Sequence, residues 1–335
     1  MAQEIELKLQ IAKKDIQTFL GLDCLKKGSQ TSYILKNTYY DTQDALLASH
    51  KIALRVRQQD KRFIQTLKTQ GENQGGLHVR AEFEFDVKSD QLDLSLINKE
   101  LLQYLPINSV DELDLKGLFC TDFHRTQIML KNIEVVFDQG HVTYQELSDE
   151  ICEIELELKN QSISNQSGIA QIFELAIEIS GQISVMPSDV SKARRGERLK
   201  CLSHAEKYRI KKPTIDTNNL QQNIVNCMEY IQTNWESYCF SRQISYLADA
   251  ILFIDKLHEL LLNSNEMKKY SSKITQIKQS WSLLLDRKEL DDNTLADKTD
   301  ELFDKIQQDK TIGQTWLSLS QVCHQGASQQ GASYE

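Results

Sequence analysis

Residues 4 to 8 read Glu-Ile-Glu-Leu-Lys, and this alternation of an ion with an apolar residue recurs along the first part of the chain. In an extended strand the side chains at i, i+2 and i+4 share one face. Glu4, Glu6 and Lys8 therefore face one way, and Ile5, Leu7 and Leu9 the other. Arg55 and Arg57 flank Val56, Thr66 and Lys68 flank Leu67, and Arg80, Glu82 and Glu84 alternate with Ala81 and Phe83. Glu134, Val136 and Asp138 share a face, as do Glu153, Glu155 and Glu157 opposite Ile154, Leu156 and Leu158. One such strand is an ordinary half-buried strand with its ions in water. A set of faces made almost wholly of carboxylate or of cation is different, because adjacent glutamates repel unless something positive neutralises them. Enough antiparallel strands are present to close a barrel, and larger barrels enclose polar interiors. With the ionic faces turned inward, the interior is a tunnel.

The alternation predicts strands over 3–10, 33–41, 52–58, 62–69, 77–87, 123–131, 133–138 and 151–159, with short helices over 12–20, 42–48, 96–104 and 167–181. Gly71, Gly75 and Gly76, with Asn73 between them, mark a turn. Beyond Lys211, Lys212 and Pro213 apolar residues recur at three- and four-residue spacing, as in Ile244, Leu247, Ile251, Ile254, Leu257 and Leu261. Helices over 217–240, 242–263, 267–287, 292–308 and 312–323 would pack as a bundle. The expected fold class is α+β: an eight-stranded antiparallel β-barrel domain over 1–205, an all-α helical bundle over 214–324, and a disordered tail over 325–335.

The net charge is −9, which argues against non-specific nucleic-acid binding. That charge is uneven: residues 1–213 hold 28 basic and 31 acidic side chains, and the rest 11 and 17, so the acidity sits mainly on the helices. No stretch approaches the roughly 20 apolar residues of a membrane span, and the N-terminus lacks an apolar signal region. The expectation is a cytoplasmic chain with no membrane partner. Seven scattered cysteines, never in a Cys-x-x-Cys pair, read as free thiols in a reducing compartment.

Carboxylates are hard oxygen ligands for Mg²⁺ or Mn²⁺, and Arg and Lys bind phosphate oxygens. Both sets on one wall describe a metal–polyphosphate site. Glu4-Ile5-Glu6-Leu7-Lys8 is also a Glu-x-Glu-x-Lys signature. With Asn37-Thr38-Tyr39-Tyr40-Asp41, Leu54-Arg55-Val56-Arg57, Gly75-Gly76-Leu77-His78, Thr121-Asp122-Phe123-His124-Arg125, Asp138-Gln139-Gly140, Cys152-Glu153-Ile154-Glu155-Leu156-Glu157-Leu158 and Ser191-Lys192-Ala193-Arg194-Arg195-Gly196, it resembles the CYTH superfamily, the triphosphate tunnel metalloenzymes. The resemblance is closest to bacterial inorganic triphosphatases that carry a CYTH domain followed by a helical CHAD domain.

That resemblance implies an eight-stranded tunnel hydrolysing inorganic triphosphate to phosphate and pyrophosphate with two divalent ions. By position, Lys8, Arg55, Arg57, Lys68, Arg80, Arg125, Lys192 and Arg195 would bind substrate. Glu4, Glu6, Asp138, Glu153, Glu155 and Glu157 would hold metal, and Lys8, Glu82 and Lys192 would be catalytic. The same architecture serves thiamine triphosphatases, RNA triphosphatases and class IV adenylate cyclases, and Tyr33, Tyr39 and Tyr40 leave an organic triphosphate open. A non-catalytic polyphosphate sensor is a third reading. The helical part is about half a CHAD domain, acidic and poor in histidine, so docking to a partner or oligomerisation is the expected role rather than polyphosphate binding.

Other signals carry less. His258-Glu259 begins like a zinc helix, but the fifth position is Leu262. There is no Gly-x-x-x-x-Gly-Lys-Ser/Thr loop. His78 and His124 sit beside Arg80 and Arg125, and packing is the expected role for both.

Overall fold

A computed structural model describes residues 2–107, 109–159, 165–216, 219–286 and 293–331. The first part is built from β1 (Ala2–Ile11), β2 (Ser29–Asp41), β3 (Ala53–Gln59), β4 (Arg62–Lys68), β5 (Glu72–Gln74), β6 (Leu77–Val87), β7 (Lys116–Met129), β8 (Ile133–Tyr144), β9 (Leu147–Leu158) and β10 (Val185–Pro187). Every neighbouring pair is antiparallel. β1 pairs with β9 on one side and β6 on the other, so eight strands close in the order β1-β9-β8-β7-β2-β3-β4-β6. The eight expected strands are those eight. β5 extends the barrel as a hairpin on β6, and β10 pairs with the end of β1.

The apolar faces point outward against helices. Leu7, Leu9, Val135, Phe137, Ile154 and Leu156 pack on Ile172, Phe173, Ala176 and Ile179 of α4 (Asn165–Gln182). α1 (Ile16–Leu20) caps the same core with Phe19. On the far side Leu54 and Leu67 pack under α2 (Leu46–Ser49) and α3 (Lys99–Leu102). Inside, one end of the barrel is apolar: Leu35, Phe123, Val142 and Ile151 meet Leu199 of α5 (Lys192–Ser203). α5 therefore plugs the barrel, and what remains of the interior is ionic.

α5 was not anticipated. Its inward stripe is Lys192, Arg195, Arg198 and Leu199, all buried, and a cationic stripe carries no hydrophobic period. β8 and β9 run longer than expected because a two-residue turn with Gln145 at φ 51° lets polar residues 139–143 stay in register with 148–152.

The second part comprises α6 (Leu220–Ser241), α7 (Ile244–Leu262), α8 (Ser271–Asp286), α9 (Asn293–Gln307) and α10 (Lys310–Gly331). The expected helices 217–240, 267–287 and 292–308 begin or end on residues outside the described ones. α10 runs past the expected 312–323 into the stretch read as a tail, and 332–335 lie outside the described residues. The bundle core centres on Trp235 stacked on Trp281 at 4.1 Å. Its docking on the barrel uses specific bonds: Gln232 Nε2 donates to Pro187 O at 2.9 Å, and Ser320 Oγ to Gly75 O at 3.2 Å. Gly75 has φ 60°, and a side chain there would collide with Ser320.

Two stability predictions follow from this packing. A Cβ at Gly140, opposite Phe123 in the β7–β8 ladder, would overlap the backbone carbonyl of Asp122. Gly140→Val should lower stability by about 3 kcal/mol or more in denaturant unfolding. On α5, burial pushes the Glu197 carboxyl up to about 7, with Arg194 opposing and Asp41 reinforcing. Between an unfolded value near about 4.5 and the folded value, the folded carboxyl keeps a proton that the unfolded one loses, so stability falls as pH rises through that window. Glu197→Gln lacks this loss, and its melting temperature relative to wild type should rise between pH 5 and pH 8.

Candidate active site in the barrel tunnel

Register aligns the ionic faces into rows. Glu134 of β8 lies opposite Glu157 of β9, which lies opposite Glu6 of β1. The next rows are Val136, Glu155 and Lys8, then Asp138, Glu153 and Gln10. Like charges directly opposite one another cost stability, so these rows require cations from elsewhere in the barrel. They enclose a cavity of about 170 Å³ together with Tyr39, Arg55 and Arg57 from β2 and β3, and with Lys68, Arg80, Glu82 and Glu84 from β4 and β6.

Two clusters of ion pairs fill the walls. Around the first, Lys192 Nζ lies 2.5 Å from Glu153, 2.7 Å from Asp138 and 3.1 Å from Glu155. Arg125 grips Asp138 with two bonds of 2.7 and 2.6 Å and reaches Glu155 at 2.9 Å. Lys8 lies 2.9 Å from Glu155. Burial pushes Glu153 and Glu155 up, but Lys192, Lys8 and Arg195 outweigh it at Glu153, held down to about 2, and Lys192, Lys8 and Arg125 do so at Glu155. In the second cluster Arg80 bridges Glu4 at 2.8 Å and Glu6 at 2.7 Å, while Lys68 joins Glu4 at 2.7 Å and Glu82 at 3.2 Å.

The charges do not cancel evenly. Glu6 is raised by burial and by Glu4, and Glu157 is raised by burial to about 7 with Lys159 as its main counter-charge. Arg57 has the opposite problem. Its Nε donates to Asn37 Oδ1 at 3.1 Å, and among the described residues no carboxylate lies within 4.0 Å of it. Burial, Arg55 and Arg125 pull it down to about 10. Even with Arg80 on Glu6 and Lys159 on Glu157, one wall is left short of positive charge, while Arg57 across from it is left short of negative charge. Asp138, Glu153 and Glu155 offer oxygens within 4.8 Å of one another, a donor set suited to a hard divalent cation. Lys192 contacts all three, and Glu153 and Glu155 are lowered, whereas Glu6 and Glu157 stay raised beside Arg80 and Lys159, so the larger demand for a cation falls on the Glu6–Glu157 row.

Of the residues singled out from sequence, Glu4, Glu6, Lys8, Arg55, Arg57, Lys68, Arg80, Glu82, Arg125, Glu155, Glu157 and Lys192 line the cavity. Asp138 and Glu153 are fully buried behind Lys192. Arg195 is not on the wall: it sits behind Glu153, donating to it at 3.3 Å and to Asp149 at 3.4 Å. Sequence reading passed over Tyr39, Glu134, Lys159 and Ser191 as site residues. Tyr39 follows Asn37 in phase on β2, and Lys159 follows Glu157 at the strand end. Ser191 caps α5, accepting from Arg194 N at 3.2 Å, and so aims the first turn of that helix into the cavity.

The histidines are divided: His78 is buried and bonded to Ser188 O at 3.2 Å, as a packing residue would be, whereas His124 is exposed on the outer face of β7. Of the three tyrosines, Tyr39 lines the cavity while Tyr33 and Tyr40 do not. Tyr33 packs on the apolar plug, Tyr39 stacks on Phe119 at 4.7 Å, and Tyr40 donates to Asp90 O on the outside of the barrel at 3.0 Å.

Among the described residues no helix is long and apolar enough to cross a membrane. A curated inorganic triphosphatase from Haemophilus influenzae is 33% identical over 203 residues, which cover 58% of this chain and 54% of that protein. The chain thus spans about half the length of the curated relative it matches. A Hippeastrum adenylyl cyclase homologue, described as having a dominant triphosphatase activity, aligns over 61% of this chain and 97% of its own at 18% identity and TM-score 0.44. The PH1819 protein of Pyrococcus horikoshii aligns over 57% and 97%, at 18% identity and TM-score 0.40. The family model for the CYTH domain matches residues 2–196, more than half of the chain, and with the closed eight-stranded tunnel this makes the chain a member of the CYTH family.

Proposed function

We propose that the protein hydrolyses inorganic triphosphate to pyrophosphate and phosphate in the barrel tunnel, with Mg²⁺ or Mn²⁺. The observation that carries this reading is the uneven charge: a half-buried Arg57 without a carboxylate partner among the described residues lies across the tunnel from a wall where Glu6 and Glu157, though paired with Arg80 and Lys159, are left short of positive charge. A metal–triphosphate complex supplies both missing charges at once. The Haemophilus relative, an inorganic triphosphatase, agrees with it.

Glu4, Glu6 and Glu157 would hold one cation, and Asp138, Glu153 and Glu155, further along the same wall of adjacent strands, another. The bound ions would polarise the phosphates and lower the pKa of an attacking water. Arg55, Arg57 and Arg125 bind phosphate oxygens, where guanidinium geometry permits two parallel bonds. Lys192, kept charged by the surrounding carboxylates, neutralises the charge that develops on the leaving pyrophosphate, and Lys8, kept charged in the same way, binds phosphate oxygens. Glu82 keeps Arg55 and Lys68 directed into the tunnel. No covalent nucleophile is needed. Tyr33 and Tyr40 lie off the cavity and Tyr39 is held by its stack on Phe119, which favours the inorganic substrate over an organic triphosphate.

Phosphate release measured with Mg²⁺ or Mn²⁺ on triphosphate, pyrophosphate, ATP and thiamine triphosphate should be fastest on triphosphate. Inactivity on all four would sink the proposal, and a strong preference for ATP would favour an organic triphosphate. In the same assay Glu6→Ala should cut turnover by about 100-fold or more, whereas Lys8→Ala should mainly raise KM. Wild-type rates in both variants would mean that β1 does not serve the reaction.

A further inference from the structure

The helical bundle sends one carboxylate into the barrel. Glu236 of α6 is 2% exposed, and its Oε2 accepts from Gln10 Nε2 at 2.9 Å. Gln10 is the β1 residue directly opposite Glu153, in the row that continues to Asp138. Glu236 is thus bonded to the lateral neighbour of Glu153.

A second route runs through Arg195. This guanidinium, itself 5% exposed, is shared between Glu153 and Asp149 on the barrel side, and Glu236 is among the charges that act on it. Arg198 beside it is bound to Asp149 at 2.7 Å. At this seam Glu236 Oε1, Arg195 Nε, and Arg198 Nε and Nη1 are all buried without a hydrogen-bond partner. Unpaired donors and an unpaired acceptor in one buried place are rare, and a bridging water or a small side-chain shift joins them at little cost. The distribution of charge then matters to the tunnel. Arg195 binds Glu153 and Asp149 and feels the charge of Glu236 from beyond ion-pair distance. With Glu236 neutral, more of its positive charge falls on Glu153, and that charge competes with any cation approaching the Asp138–Glu153–Glu155 cluster.

We propose that Glu236 is a positioning residue for cation binding in the tunnel: the bundle supplies the counter-charge that keeps Arg195 shared and leaves Glu153 available to a divalent ion. The inference rests on the metal-dependent reading above and gives the helical part a direct role in the site.

The test is Mn²⁺ binding to the full chain without triphosphate, read from the free-ion electron paramagnetic resonance signal. Glu236→Gln keeps the volume and removes the charge, and it should raise the Mn²⁺ dissociation constant about fivefold or more. Glu236→Leu should do the same, and Glu236→Asp should stay within about twofold of wild type. Gln232→Ala removes the Pro187 bond at the same seam without changing charge, and it should lower the melting temperature while leaving Mn²⁺ affinity unchanged. Wild-type affinity in folded Glu236→Gln or Glu236→Leu, or an equal loss in Gln232→Ala, would overturn the positioning role. Because the readout is binding, an inactive wild type that shows the expected shift contradicts the triphosphatase reading alone.

Discussion

The barrel depends on cations that reach across it. Glu134, Glu157 and Glu6 stand opposite one another on three adjacent strands, an arrangement that would force the strands apart if it stood alone. Arg80, Lys159, Lys8, Lys192 and Arg125 hold this wall together, projecting from strands and from α5 into the same space. The pairing of β1 with both β9 and β6 is what brings Glu6 between its carboxylate neighbour and Arg80. Fold and site are therefore one electrostatic arrangement. A buried ion pair by itself is weak support for stability. The value of these pairs is that they keep charged groups at fixed positions around a cavity of about 170 Å³, where a charged ligand would meet preset partners.

Much of this was legible in the chain. Alternation located the eight barrel strands and the faces of Glu4, Glu6, Lys8, Arg55, Arg57 and Lys68, because a strand has only two faces and both compositions were extreme. Depth was not legible. Nothing in the spacing separates Glu155, which lines the cavity, from Glu153, which lies behind Lys192, since depth depends on where along the barrel axis each row falls. α5 was missed for a related reason: its buried stripe is made of Lys192, Arg195 and Arg198, and apolar periodicity cannot register a helix whose inward face is cationic. Tyr39, in the middle of the Asn37–Asp41 motif, was weighed only as an aromatic platform, and Lys159 escaped because it follows Glu157 just past the end of a motif. Their place in the site comes from register across β2, β3, β8 and β9.

The acidity of the chain also takes on a definite meaning. A net charge of −9 suggested a molecule unsuited to polyanions, yet the first part is nearly balanced and its ions are sorted onto walls. The excess of carboxylate in the tunnel is the feature that divalent ions would complete. The helical part adds to that sorting, because Glu236 enters the barrel's own row of charges through Gln10 and Arg195. Bundle and barrel share a polar seam whose groups bear on Glu153, in addition to their apolar contact through α10 and α4.

The central claim is that the charge imbalance across the tunnel is a metal–triphosphate site. Crystals grown with Mn²⁺ and triphosphate, with anomalous diffraction collected at the manganese edge, test it most directly. The account predicts manganese inside the barrel, on the carboxylates of β1 and β9, with phosphate density against Arg55 and Arg57. Manganese confined to the outer surface, or triphosphate bound outside the barrel, would contradict it.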